Sequence, residues 1–568
     1  MRTETKVAAL RQTSIVWAAL HCGFLAPVPR TRRTLLLLAA LAFFLPSAAA
    51  DTYPRQPGVD AVHYIFRLAL TDESDEIQGE ADISLRFVAD GIREAVIDLA
   101  TPADGKGMTV LGVESNGAAV RHTHEADRLR LTLAPVPAKG ELRTFKVRYR
   151  GTPASGLVIG ANKYKERTFF SVNWPNLARQ WTPMIDHPYD KATSEFIITA
   201  PTKYQVVANG LLQEEIDLGD GTRRTHWKNS VPIASWLNAI GVAQFAAHHA
   251  GNVVGVPLQT WVFHQDRDAG VTAFEGPARQ AMELFSNRVG PYAYEKLANV
   301  EAAGLGGGTE HASVIFYGER SISGRPIVGL VAHEIAHQWF GNAITESDWD
   351  DVWLSEGFAT YFASLFTEHY QGRDAFVAGL RRARETVFNL EEKEPKLAVI
   401  HDNLSDMTKV LNRLVYQKGG WTLHMLRGIV GTETFWAGIR DYYQRYRNGN
   451  VSTDDFRRVI EEHSGKDLAW FFDQWLKRPG SPAIEGNWSF DSAAKKIKVE
   501  LAQTQNGAAY RLPLEIAVET EGARDRRVEK IEMTAKQQSF EVAAESEPTS
   551  VVLDPDTWIL MHSQFAKK

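Results

Sequence analysis

The stretch VAHEIAHQWFGN, residues 331–342, constrains this chain more than any other. His333 and His337 stand four positions apart, so on an α-helix they share one face, about one turn from each other. The flanks predict a helix, and a buried one: IVGLVA precedes the histidines and WF follows them. Two imidazoles on one face can aim a nitrogen each at a single ion, and zinc accepts neutral imidazole at about 2.0–2.1 Å. Glu334 lies beside His333 but about 100° further round the helix. That direction keeps it out of the ligand set and within reach of a water, as a general base. A buried Glu334 without work or a partner would be costly. The short pattern also arises by chance, so the rest of the chain has to decide its meaning.

Two helical histidines do not complete a zinc shell. A catalytic zinc takes a third protein ligand and keeps one position open. Nineteen residues after His337, WLSEGFATYF presents Glu356 on the next predicted helix. The turn through GNAITESDWDD lets that helix fold back on the first. His333, His337 and Glu356 then make a His, His, Glu set of the kind that holds one catalytic zinc ion per chain.

The chain has 568 residues, too many for one core, and length alone suggests about three or four domains of roughly 150 residues. HYIFRLALT, EADISLRF, LRTFKVRYRG, EFIITAP and YQVVANG alternate apolar and polar residues, so residues 51–262 read as a large β domain. From 263 to 480 the spacing turns helical, in GPARQAMELFSNRVG, IVGLVAHEIAHQWFG and KGGWTLHMLRGIVG. RPGSPAIEG then breaks the pattern, and KIKVELAQT, RLPLEIAVET and TSVVLDP alternate again over 481–568. The expected fold class is therefore multidomain α+β.

Residues 1–50 have the layout of a secretory signal. Arg30, Arg32 and Arg33 precede an apolar run from Leu35 to Leu45, and the small residues Ser47–Ala50 follow. Cleavage near Ala50 and export, periplasmic or extracellular, are the expectation; a short retained anchor is the alternative. TRRTLL is compatible with a twin-arginine route as well as the general one. Residues 1–50 carry six Lys/Arg against one Glu, so the remaining chain bears a formal −11 instead of the −6 of the full sequence. An acidic body argues against nucleic acid as partner. The single cysteine, Cys22, falls in the removed segment. No later stretch is long and apolar enough to span a membrane.

Beyond the zinc pattern, HEIAHQWFGN, DVWLSEGFATYF, GLGGGTEHAS, LVYQKGGWTLHML and ARQWTPMIDHPYDKATSEF together resemble the gluzincin zinc aminopeptidases, the group of aminopeptidase N and leukotriene hydrolase. The resemblance implies an N-terminal β domain, a thermolysin-like catalytic domain and a small β-sandwich. It also implies a three-domain member without the large helical C-terminal domain that many relatives add. It implies release of N-terminal residues from peptides with a free N-terminus. Glu310 would hold the substrate ammonium, with Gly307 and Gly308 letting the backbone approach, and Tyr416 would stabilise the oxyanion. Thr309 and His311 depart from the family's methionine and asparagine, and Val172 stands where many members carry a glutamine.

Rival expectations use the same residues: an endopeptidase or an epoxide hydrolase at the zinc site, or a non-catalytic scaffold that binds peptides or proteins. Trp339, Trp353 and His424 read as packed residues, Asp186 and His187 as holding a turn of the β domain, and His248–Ala250 as a solvated loop.

Overall fold

The computed structural model describes residues 51–521 and 526–568; the expected signal segment and its cleavage site lie outside these residues. The first strands form an eight-stranded sheet whose centre pairs Ile77–Phe87 with Val59–Ala69 on one side and Leu142–Thr152 on the other. Alternation decides which face is inside. Ala81, Ile83, Leu85 and Phe87 are fully buried, while Asp82, Ser84 and Arg86 point the other way. A four-stranded sheet and a three-stranded sheet complete this β region.

A closed charge cluster ties its turns together. Arg179 Nε donates to Asp186 Oδ2 at 2.9 Å, and Arg128 Nε lies 3.1 Å from Asp98 Oδ1. Tyr53 OH and the Asp186 backbone N–H donate to Asp98 Oδ2, and Ser235 Oγ donates to Asp186 Oδ1. His187 Nε2 meets Asp51 Oδ2 at 2.6 Å, both side chains buried.

A five-stranded sheet then runs in the order Phe245–Val253, Val256–Phe263, Leu297–Ala302, Val314–Gly318, Gly308–Thr309. Its first two strands lie before the expected boundary at 262/263, yet Val256–Phe263 pairs in parallel with Leu297–Ala302 beyond it. The sheet is covered on both faces. Leu258, Val262, Leu297, Ile315 and Tyr317 join the core of the helices. Trp261, Phe263, Val300, Val314 and Phe316 join the core of the β region. Strands buried on both faces lose the in–out alternation, which is why the sequence pattern does not separate the two regions here. His248–Ala250, expected in a loop, sit in the edge strand Phe245–Val253; His248 pairs with Glu275 on the neighbouring helix.

Among the described residues the α-helices of ten residues or more are α1 (Arg267–Arg288), α2 (Val328–His337), α3 (Trp353–Gln371), α4 (Arg373–Lys393), α5 (Gly419–Val430), α6 (Thr432–Tyr446) and α7 (Thr453–Ser464). On α2, Val331, Ala332 and Ile335 are fully buried, so the zinc-motif helix is held as a core element. Trp339 and Trp353 are core residues, and buried His424 on α5 meets Thr557 O at 3.0 Å. Residues Ala483–Lys567 add a four-stranded and a three-stranded sheet whose apolar faces are continuous with the helical core.

Candidate metal centre and active site

The three expected ligands converge. His333 Nε2 and His337 Nε2 are 3.2 Å apart, and each lies 3.4 Å from Glu356 Oε2. For bonds of 2.0–2.1 Å in tetrahedral geometry, two ligand atoms stand about 3.3–3.4 Å apart. The side chains therefore frame a position that a zinc ion fits. The atoms left without partners agree. Glu356 Oε2 is buried and accepts no hydrogen bond. His337 Nδ1 faces Phe340 O at 3.2 Å and Ser355 Oγ at 3.1 Å, so a proton on Nδ1 leaves the Nε2 lone pair free for a metal.

α2 supplies the two histidines, and the first turn of α3 supplies Glu356. Between them the chain turns through Phe340–Asn342 and the short strand Ile344–Glu346, which pairs with Gly449–Val451. The turn that the sequence required is thus built into a sheet.

Glu334 is buried, and no donor among the described residues reaches its carboxylate. Burial pushes its pKa well above the usual range, with the Glu310 and Glu356 carboxylates adding to the rise against the lowering pull of His337. Gly308 faces it across the cleft: a Cβ there would fall 2.3 Å from Glu334 Oε1. Only glycine permits that approach. Gly307 adopts φ +82°, a left-handed conformation that favours glycine. Gly308–Thr309 is a two-residue edge strand on Val314–Gly318, so its outer backbone groups face the cleft.

Glu310 follows directly and is 5% exposed. Its carboxylate, that of Glu334 and an imidazole nitrogen of His337 lie within 4.8 Å of one another. Burial raises the Glu310 pKa, His337 opposes that and Glu356 adds to it. His337 responds in the other sense: burial lowers its pKa, but Glu310, Glu356 and Glu334 outweigh this and push it up to about 10. The pocket is one that holds positive charge.

Tyr416 sits in a wide π-helical turn, Leu414–Lys418, before α5 and not on a regular helix. Its hydroxyl donates to Glu356 Oε1 at 3.0 Å. Burial, then the Glu356 carboxylate, keep the phenol protonated, so it is a donor at neutral pH.

Three further residues belong to the arrangement that the sequence reading left aside. Gln338 Nε2 donates to Glu310 O at 3.1 Å, and Asn342 Nδ2 donates to the same oxygen. Both stand inside HEIAHQWFGN, Gln338 directly after the second histidine and Asn342 at the end of the motif. Trp174 Nε1 donates to Glu310 Oε1 at 3.0 Å. Its ring is set against Trp349 and Trp236, with centroids 4.9 and 5.9 Å away. Asn173, by contrast, is buried between Asn238 O and Trp181 Nε1, away from the cleft. The signal for Trp174 was the WP pair in SVNWPNLARQ, two residues past Val172. His311 is buried with neither ring nitrogen paired, and burial pushes it down to about 3, so it is neutral.

The sequence matches the Peptidase M1 N-terminal domain over residues 60–237 and the Peptidase family M1 domain over 282–475, together more than half of the chain. The chain belongs to peptidase family M1. A curated M1 relative, glutamyl aminopeptidase of Bitis rhinoceros, is 29% identical over 327 residues, 55% of this chain and 34% of the relative. The chain thus matches about a third of that relative's length. The M1 zinc metallopeptidase of Deinococcus radiodurans has 25% identity and a TM-score of 0.64, covering 75% of this chain and 95% of that one. Aminopeptidase A of Legionella pneumophila, solved with aspartic acid, shares the fold: TM-score 0.77 at 17% identity, covering 91% of this chain and 60% of that one.

Proposed function

We propose that this M1 chain is a zinc-dependent aminopeptidase that removes single residues from peptides with a free N-terminus. One observation carries the reading: a metal-sized triangle of His333, His337 and Glu356 beside a buried carboxylate, Glu310, that pairs with no Lys or Arg among the described residues. His333, His337 and Glu356 would hold the zinc, which when bound polarises the scissile carbonyl and makes water acidic near neutral pH. Glu310 binds the substrate's α-ammonium, a charge that an interior peptide segment lacks. The edge strand Gly308–Thr309 aligns the substrate backbone in extended form. Glu334 accepts a proton from the attacking water and delivers it to the leaving nitrogen. Tyr416 donates its hydrogen bond to the carbonyl oxygen as negative charge gathers there.

The test pairs a peptide with its N-acetylated form, each with and without a chelator. The expected result is stepwise release from the free peptide only, lost on chelation and restored by zinc. Equal cleavage of both forms would support the endopeptidase reading instead. Zinc-loaded protein with no cleavage of either would support a binding scaffold.

We further propose export of the chain, supported by the basic, apolar and small-residue order of residues 30–50. The mass of the protein recovered from a secreting host checks it: a chain starting near Asp51 is expected, and a full-length cytoplasmic chain sinks the proposal. Among the described residues no helix is long and apolar enough to cross a membrane.

A further inference from the structure

The cavity beside Glu310 says which first residue the site takes. It has a volume of about 360 Å³, and Glu310, Glu356 and Tyr416 all line it. A substrate whose ammonium is at Glu310 and whose carbonyl oxygen is at Tyr416 places its first α-carbon between them, so its first side chain projects from there into this cavity. The rest of the wall is apolar: Trp174, Pro175, Met407, Val410 and Leu411, with the neutral Thr309 and Thr408. Leu411 is one of the large apolar side chains that remain exposed, at 39%. None of the described residues that line the cavity is Lys or Arg. The basic residue nearest in sequence, Lys409, has a side chain 75% exposed and pairs with Asp406. With zinc at Glu356 and the ammonium at Glu310 those two carboxylates are already matched, and a carboxylate side chain entering here would find no Lys or Arg on the lining to pair with. Burying a charge without a partner is strongly unfavourable. An apolar side chain would cover Leu411, Met407 and the face of Trp174 and lose nothing.

We propose that this cavity is a specificity pocket for uncharged, apolar N-terminal residues and excludes acidic ones. The proposal rests on the aminopeptidase reading, and it assigns a preference opposite to the one in the name of the curated relative, glutamyl aminopeptidase. Trp174 contributes twice: its ring walls the pocket, and its N–H takes one oxygen of Glu310.

The experiment measures kcat/KM of the zinc-loaded full chain on Leu, Met, Phe, Glu, Asp and Arg aminoacyl-coumarin substrates. The apolar three are expected to exceed Glu and Asp by about 100-fold or more. In Leu411→Arg, which adds a cation at an exposed position, the Glu/Leu ratio is expected to rise by about tenfold. Turnover of Glu or Asp substrates at or above the rate of Leu overturns the pocket assignment and leaves the aminopeptidase reading standing. An unchanged Glu/Leu ratio in an active Leu411→Arg also counts against the pocket assignment. No release from any of the six overturns both.

Discussion

The buried charge cluster at Asp98 and Asp186 and the one in the cleft are built on opposite rules. In the β region, Asp98 and Asp186 are matched by Arg128 and Arg179, and Tyr53 and Ser235 supply further donors. In the cleft, the only groups among the described residues that can set positive charge against Glu310, Glu334 and Glu356 are two histidines; Trp174 and Tyr416 donate to Glu310 Oε1 and Glu356 Oε1, and Glu356 Oε2 has no hydrogen-bond partner. In the first cluster each acid has a guanidinium beside it, even though Asp98 Oδ1, like Glu356 Oε2, accepts no hydrogen bond, and the cluster holds turns together. The second is short of positive charge, and the two things its proposed reaction brings, a metal ion and a terminal ammonium, are both cations. A buried acid excess is thus the mark of a site, where a balanced network of similar size marks a clamp.

The sharpest way to break this contrast is Glu334→Gln. The expected outcome is a loss of about 10³–10⁴-fold in kcat/KM, the upper part of what a positioned acid–base group supplies. Zinc content should be kept, and thermal stability kept or raised, because a buried like charge is removed. A variant within tenfold of the parent would remove Glu334 from the chemistry. Arg179→Met tests the clamp. It leaves Asp186 buried beside the Asp98 carboxylate with one cation fewer, at an expected cost of about 3–5 kcal/mol in urea unfolding. If that variant were as stable as the parent, the balanced cluster would not be holding the turns.

Tyr416→Phe removes one hydroxyl and keeps the ring. It should lower kcat by about 10²–10³-fold, or about 2.7–4 kcal/mol, with little change in KM. A change confined to KM would assign Tyr416 to ground-state binding.

The smallest effect is expected outside both clusters. Burial raises the Asp190 carboxyl to about 8, Asp60 adds to this, and the Ala61 N–H opposes it. Since the folded chain then holds a proton that the unfolded chain releases, this group's contribution to stability falls as pH rises from about 4 through about 8. Asp190→Asn cannot ionise, so its melting temperature relative to the parent should climb across that window. The difference should change by about 2–3 kcal/mol between pH 5 and pH 7. A constant difference across the window would mean that Asp190 titrates normally.

The proposed zinc ligands were legible because helical spacing is a local rule: four residues fix the shared face of His333 and His337, and one turn brings Glu356 back. The N-terminal strands were legible for the same reason, since alternation in Ile77–Phe87 reads directly as burial. Glu310 was legible only through resemblance, because nothing in GGTEH encodes its approach to a helix twenty residues later. Trp174 was hidden for a similar reason: its partner lies 136 residues away. Val256–Phe263 read correctly as a strand, and Phe245–Val253 only in part, since His248–Ala250 were expected in a loop; period two states which side is buried and not which sheet is joined.

The backbone oxygen of Glu310 hangs from Gln338 and Asn342, in the turn that follows His337. For the proposed reaction, the span from ammonium anchor to scissile bond is therefore engraved on one stiff block, and a count of one residue per cut follows from that stiffness.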